Sequence, residues 1–85
     1  MNFLLYQVHV GPGQSIVVEL DHAANVQVMD DSNLSRYRRR ERYQFYGGLA
    51  HQSPSVVTPP SPGRWNVAID LGGSAGRVKA SVRVQ

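Results

Sequence analysis

The sequence predicts an all-β fold, an antiparallel β-sandwich of about seven or eight short strands forming one domain over residues 1–85. Three observations carry this expectation. Apolar residues recur with period two in several stretches. Turns rich in Gly and Pro separate those stretches at roughly 8 to 14 residues. No run carries a sustained helical period that would supply the crossovers a parallel sheet needs.

The elements follow in order. In Asn2 to Val10, Leu4, Tyr6, Val8 and Val10 share one face, while Phe3 and Leu5 precede Gln7 and His9 on the other. A strand apolar on both faces at its start is expected to be central, or covered by a loop or a second subunit. Gly11-Pro12-Gly13 is the turn to a strand in which Ile16, Val18 and Leu20 oppose Ser15 and Glu19, with Val17 weakening the alternation. Asp21-His22 links it to Ala24, Val26 and Val28, set against Asn25, Gln27 and Met29.

From Asp31 to Arg40 the rhythm breaks. A loop with a single helical turn through Ser35-Arg36-Tyr37-Arg38, capped by Ser32 or Asn33, is expected because the segment is too short for an independently stable helix. An aromatic strand, Tyr43 to Tyr46, is then closed by Gly47-Gly48. Pro54, Pro59 and Pro60 bracket Ser55 to Thr58, which leaves it only the role of a short edge strand. Ser61-Pro62-Gly63 turns into Trp65-Asn66-Val67-Ala68-Ile69-Asp70-Leu71, with Trp65 a core residue and Asn66, Ala68 and Asp70 turned to water. The glycines of Leu71 to Gly76 suit a tight or bulged hairpin to the last strand, which carries Val78, Ala80, Val82 and Val84 on one face.

Composition narrows the function classes. The 85 residues are 41% hydrophobic and 18% charged, so a folded domain is expected and a disordered chain is not. No stretch approaches the roughly 18 apolar residues of a membrane helix, so no membrane role is expected. The start lacks the basic flank and cleavage site of an export signal, giving a cytoplasmic expectation. Cysteine is absent, which removes disulfides, thiol nucleophiles and cysteine-built zinc sites. With no such staple, and with Phe3 and Leu5 needing cover, a homo-oligomer is mildly favoured.

The basic balance is local. Arg36, Arg38, Arg39, Arg40 and Arg42 fall within seven positions with Tyr37 between them and Tyr46 nearby, so this run holds a net +4 and the rest of the chain a net −1. Such a run either forms a solvated loop or holds anions, whether on a protein, a small ligand or nucleic acid. Asp30-Asp31-Ser32-Asn33 offers oxygens in a row, which serve a strand end by bonding backbone amides or join the arginines in a polar ligand pocket. It lacks the spacing of a calcium loop, and His9, His22 and His51 lack that of a zinc site, so no metal is expected. Ser53 near His51 suggests a nucleophile and base in composition only. No pair of carboxylates stands out for acid–base chemistry, and Gly72-Gly73 fits no phosphate-cradle pattern. A hydrolase is therefore the class supported least. The chain is expected not to be an enzyme and to need no cofactor.

A longer pattern runs through these segments. Val28-Met29-Asp30-Asp31-Ser32-Asn33-Leu34-Ser35-Arg36-Tyr37 resembles the signature of a small bacterial domain-of-unknown-function family, number 1883. The likeness continues in Tyr46-Gly47-Gly48, in Gly63-Arg64-Trp65-Asn66-Val67 with Asp70-Leu71-Gly72-Gly73, and in Gly76-Arg77-Val78-Lys79-Ala80-Ser81-Val82. The resemblance implies an all-β sandwich that stands alone or is joined to another domain such as a TIR-like signalling module. It supplies no catalytic residue and no cofactor. The resulting expectation is an interaction or small polar/anionic ligand-binding module that uses Asp30 to Asn33, Arg36 to Arg40, Arg42 and Tyr46. Weak nucleic-acid binding through the Arg/Tyr run is the alternative.

Overall fold

Trp65, Val67 and Ile69 point to one side of their strand and Asn66, Ala68 and Asp70 to the other, and all six are buried. That double burial sets the layout of the computed structural model, which describes residues 3–72 and 76–85. Its elements are β1 (Leu4–Val10), β2 (Ile16–Leu20), β3 (Ala24–Met29), α1 (Asp31–Arg38), β4 (Tyr46–Ala50), β5 (Ser55–Val57), β6 (Gly63–Asp70) and β7 (Ala80–Val84). Four strands form one antiparallel sheet in the order β1-β6-β3-β4, and three form a second in the order β5-β2-β7. The all-β sandwich expected from the alternation is the observed fold.

Between the sheets lies the main core. Ile16, Val18, Val26, Val28, Val67 and Ile69 are inaccessible to solvent there, beside Trp65. Val78, Ala80, Val82 and Val84 pack against them from the last stretch, as their spacing predicted. The Trp65 indole Nε1–H donates to the Ser61 carbonyl at 2.9 Å, so the ring fills the core without stranding its polar atom.

Several local expectations are corrected. Asp31 to Arg38 is an α-helix rather than a loop with one turn. Its cap is Asp30, not Ser32 or Asn33: Asp30 Oδ1 accepts from Asn33 N at 2.9 Å. Leu34 and Tyr37, one turn apart, pack on the sheet, and this tertiary burial stabilises a helix too short to persist alone. Phe3 and Leu5 belong to the same packing with Met29, Ala68 and Tyr43. Their cover is thus intramolecular, although β1 is an edge strand and not a central one.

The glycines Gly47 and Gly48 lie inside β4 instead of ending a strand over Tyr43 to Tyr46. Gly47 has φ +109°, and a Cβ there would run into the Val26 carbonyl oxygen, so the close approach of β4 to β3 requires glycine. Residues 41–45 are held by side chains rather than by a ladder. Gln44 N donates to Asn33 Oδ1 at 2.8 Å. Gly63 already belongs to β6, and β5 stops at Val57, one residue short of the expected edge strand. In the last stretch the strand begins at Ala80, so Val78 packs from outside it.

No hairpin joins β6 to β7, because the two lie in different sheets. Both edges of β6 are occupied, by β1 and β3, so β7 pairs with β2. Of the six residues assigned to that hairpin, 73–75 lie outside the described residues. Among the described residues, no helix is long and apolar enough to cross a membrane.

Candidate functional site

The outward positions of β3 and β6 are where polar chemistry collects. Register places Asn25 opposite Asp70 and Gln27 opposite Ala68, so two amides and a carboxylate meet on one face of the sheet. Helix α1 crosses that face and lowers Tyr37 onto it. The Tyr37 hydroxyl donates to Asp70 Oδ2 at 2.6 Å, and Gln27 Nε2 donates to the same oxygen at 3.1 Å. Asn25 Nδ2 and the backbone N–H of Gly72 both donate to Asp70 Oδ1 at 2.8 Å. The Tyr43 hydroxyl completes the network by donating to Gln27 Oε1.

Asp70 is a buried carboxylate that stays ionised. Burial alone would raise its pKa, but the hydrogen bonds from Tyr37, Asn25, Gly72 N and Gln27 together outweigh it and hold the group below the usual carboxylate value. The converse applies to its neighbours. Burial, then the bond to Asp70 and its charge, push the Tyr37 phenol well up. Burial and the charge of Asp70 raise Tyr43 as well, against the lowering effect of its bond to Gln27.

A cleft of about 320 Å³ opens above this network. Asn25, Gln27 and Asp70 floor it, Tyr37 and Tyr43 wall it, and Arg40 and Glu41 stand at its rim. The rim is made by the way α1 stops. Arg40 N–H donates to Tyr37 O at 3.2 Å, and Glu41 N–H donates to Arg36 O at 2.9 Å. This is the paired-bond termination that normally places glycine at the left-handed position. Here Arg40 occupies it, with φ +59°. Glu41 is held by Arg39, at 2.9 and 3.3 Å, which keeps its carboxyl below its usual value. Among the described residues, no carboxylate lies within ion-pair distance of Arg36, Arg38, Arg40 or Arg42.

With the fold and this cleft in view, the comparison with known families is decisive. The family described as Domain of unknown function (DUF1883) matches over residues 1–85. The chain belongs to DUF1883. No curated protein and no solved structure matches it. In this DUF1883 chain the residues singled out from the sequence separate into distinct places.

Asp30, Asp31, Ser32 and Asn33 form the start of α1. Asp30 caps the helix and also accepts from Asn33 Nδ2 at 2.9 Å, so Asp30 supports the backbone as one of the two readings of this row expected. Asp31 Oδ1 accepts from Asn66 Nδ2 at 2.8 Å and lies 3.7 Å from Arg64 Nε. An eight-residue helix is about 12 Å long, so this acidic group and Arg40 stand at opposite ends and do not share one pocket. Arg36, Arg38 and Arg42 are exposed, and the Arg38 guanidinium lies 5.9 Å from the centre of the Phe3 ring.

Tyr37 is 2% exposed and presents no free ring face. It stacks edge-on between Phe3 and Tyr43, at 4.9 and 5.1 Å between centroids, and Tyr43 continues to Phe45 at 5.6 Å. Tyr46 lies on the other face of β4, edge-on to Trp65 at 6.0 Å. Tyr37 and Tyr43 therefore belong to the packing under α1, while Phe45 and Tyr46 are exposed. Ser53 Oγ accepts from Leu20 N at 2.9 Å, and His51 and Ser53 are both exposed. Among the described residues, no three His, Cys, Asp or Glu side chains come together as a metal cluster would require.

Sequence reasoning missed Asn25, Gln27 and Asp70 as site residues, because each sits at a position that alternation assigns to water. The available signal was that the polar faces of two strands carry amides and an acid of complementary donor and acceptor type. Only the pairing register brings them together.

Proposed function

We propose that this chain is a non-catalytic recognition module that takes the anionic group of a small polar ligand or of a protein partner at the cleft beside α1. One observation carries the reading. Arg40 is held in a left-handed conformation at the rim, where glycine would be less strained, and its guanidinium has no carboxylate partner among the described residues. An arginine so placed supplies a planar pair of donors for a carboxylate or phosphate. The floor suits the neutral part of such a ligand. Both oxygens of Asp70 are engaged by donors, the Asn25 and Gln27 amides among them. Nothing in this reading calls for bond-making chemistry or a cofactor, and we place the module in the cytoplasm as part of the same proposal. Self-association is a separate expectation, and it loses its apolar motive once α1 covers Phe3 and Leu5.

Inorganic phosphate, titrated while backbone amide signals are followed by NMR, tests the reading. The signals of Arg40 to Tyr43, Asn25 and Gly72 are expected to move in a saturable way. In Arg40→Gly they are expected to stay still, while the variant gains about 1 kcal/mol of stability from relief of the left-handed side chain. A response that Arg40→Gly leaves intact, or no local response at all, overturns the proposal.

A further inference from the structure

Next to the cleft lies an apolar shoulder. Phe45 is 42% exposed and Leu49 is 60% exposed, while most large hydrophobic side chains are covered. Both adjoin the cleft. The Phe45 ring packs on Tyr43, which walls it, and Leu49 stands opposite Asn25, which floors it. Strand β4 is the edge of its sheet, and among the described residues no strand pairs with its second edge. The cleft that Arg40 borders is thus also bordered by Tyr43 and Asn25, the neighbours of these two apolar side chains.

The question is what supplies the negative charge opposite these arginines. Its own Asp and Glu side chains are all otherwise engaged: Glu19 by Arg83, Asp21 by His22 and the Lys79 N–H, and Asp30 by the helix cap. Asp31 is held by Asn66, Glu41 by Arg39 and Asp70 by its four donors. A second copy would bring the same spent acids and a further +3 of charge. A free inorganic anion would satisfy Arg40 but leave the shoulder bare. Nucleic acid would ask for a row of open ring faces, whereas Tyr37 is concealed under α1 and only Phe45 is left exposed beside the cleft.

From this we infer that the ligand is an acidic peptide segment of a partner protein, seated with a carboxylate on Arg40 and separate apolar side chains on Phe45 and on Leu49, which stand four residues apart. The inference rests on the anion-binding reading of the cleft and extends it to a partner class. Flanking Arg36, Arg38 and Arg42 steer the acidic segment without contacting it closely, so the association rate falls as salt screens them.

The test uses the whole chain and a short fluorescent peptide in which Glu and Leu alternate, followed by anisotropy. Binding is expected at low salt and to weaken as salt rises. Replacing the peptide's Glu by Gln is expected to weaken it at least about tenfold, and replacing its Leu by Ser roughly fivefold. Leu49→Ser, at a site too exposed to disturb folding, is expected to cost the peptide roughly fivefold and to leave the phosphate response unchanged. If Leu49→Ser and the Ser-containing peptide both bind like their parents, the shoulder has no part and this inference falls, while a phosphate response still supports the cleft. If neither peptide nor phosphate binds, the cleft reading falls too. A single-stranded oligonucleotide that displaces the peptide, or a concentration-dependent dimer that shifts the Phe45 and Leu49 signals, overturns the inference in favour of that other occupant.

Discussion

The two faces of β6 are equally dry and are held by different forces. On the inner face, Val67 and Ile69 have nothing to satisfy but shape, and Trp65 beside them needs one partner, the Ser61 carbonyl, for its indole N–H. On the outer face, Ala68 lies between Asn66 and Asp70 beneath α1, and each polar neighbour needs a partner for every atom removed from water. Asp70 finds four donors. Asn66 donates to Met29 O and Asp31 Oδ1, yet its own Oδ1 has no partner among the described residues. Burial alone therefore does not distinguish a core from a site. The inner face tolerates any well-shaped apolar filling, whereas the outer face fixes one arrangement of named groups and leaves a cleft where that arrangement meets solvent.

The comparison can be pressed from the largest effect downward. Ile69→Ala empties part of the inner core and is expected to cost about 3 kcal/mol in urea unfolding, by nearly the same amount at any pH between neutral and mildly acidic. A loss that varies strongly with pH would mean the inner face is not purely apolar in its energetics. Asp70→Asn keeps the shape but sets an amide among donors, at about 2 kcal/mol near neutrality.

That second loss should depend on pH. The folded carboxyl lies below its unfolded value, so its contribution is present above the unfolded pKa and disappears as pH falls through the folded one. Parent and variant are thus expected to converge in stability at strong acid, and parallel curves would break the assignment. Tyr37→Phe removes one donor from the network for about 1.5 kcal/mol. Its phenol is raised, so the stability it brings is complete below the unfolded pKa of about 10 and fades only as pH rises through the folded value. The variant should therefore show a flatter alkaline limb, and an unchanged one would detach Tyr37 from Asp70. Smallest is Asp30→Ala, which removes the cap of α1 for about 1 kcal/mol. Circular dichroism should register helix fraying while the near-ultraviolet signal of Trp65 persists. Loss of both would show that the outer cover and the inner core melt as one unit.

Much of the inner face was legible in the sequence, and little of the outer one was. Period two is a local signal, and it placed Trp65, Val67, Ile69, Val82 and Val84 on the core side because hydrophobic burial acts on each strand separately. The same signal sent Asn66, Ala68 and Asp70 to water, since alternation cannot foresee a helix laid across the second face. Asp31 to Arg38 hid that helix, because its stability comes from Leu34 and Tyr37 meeting the sheet and not from local preference. The arginine run announced its charge but not its geometry. That one of five side chains would stand at a left-handed helix end follows from where α1 stops, which is itself a tertiary fact. Sheet assignment was equally out of reach. Short Gly-rich connections read as hairpins when the pairing partner lies elsewhere in the chain.

That last point bears on how the molecule is made. The chain passes from one layer to the other between β1 and β2, β2 and β3, β4 and β5, β5 and β6, and β6 and β7. The four-stranded sheet lacks its middle until β6 arrives, for β1 and β3 meet only through it. The first sixty residues hold five strands, in which β3 has β4 and β2 has β5 but β1 still lacks its only partner, β6. Until residues 63–70 are available, β1 cannot join its sheet and Val26 and Val28 lack their β6 neighbours.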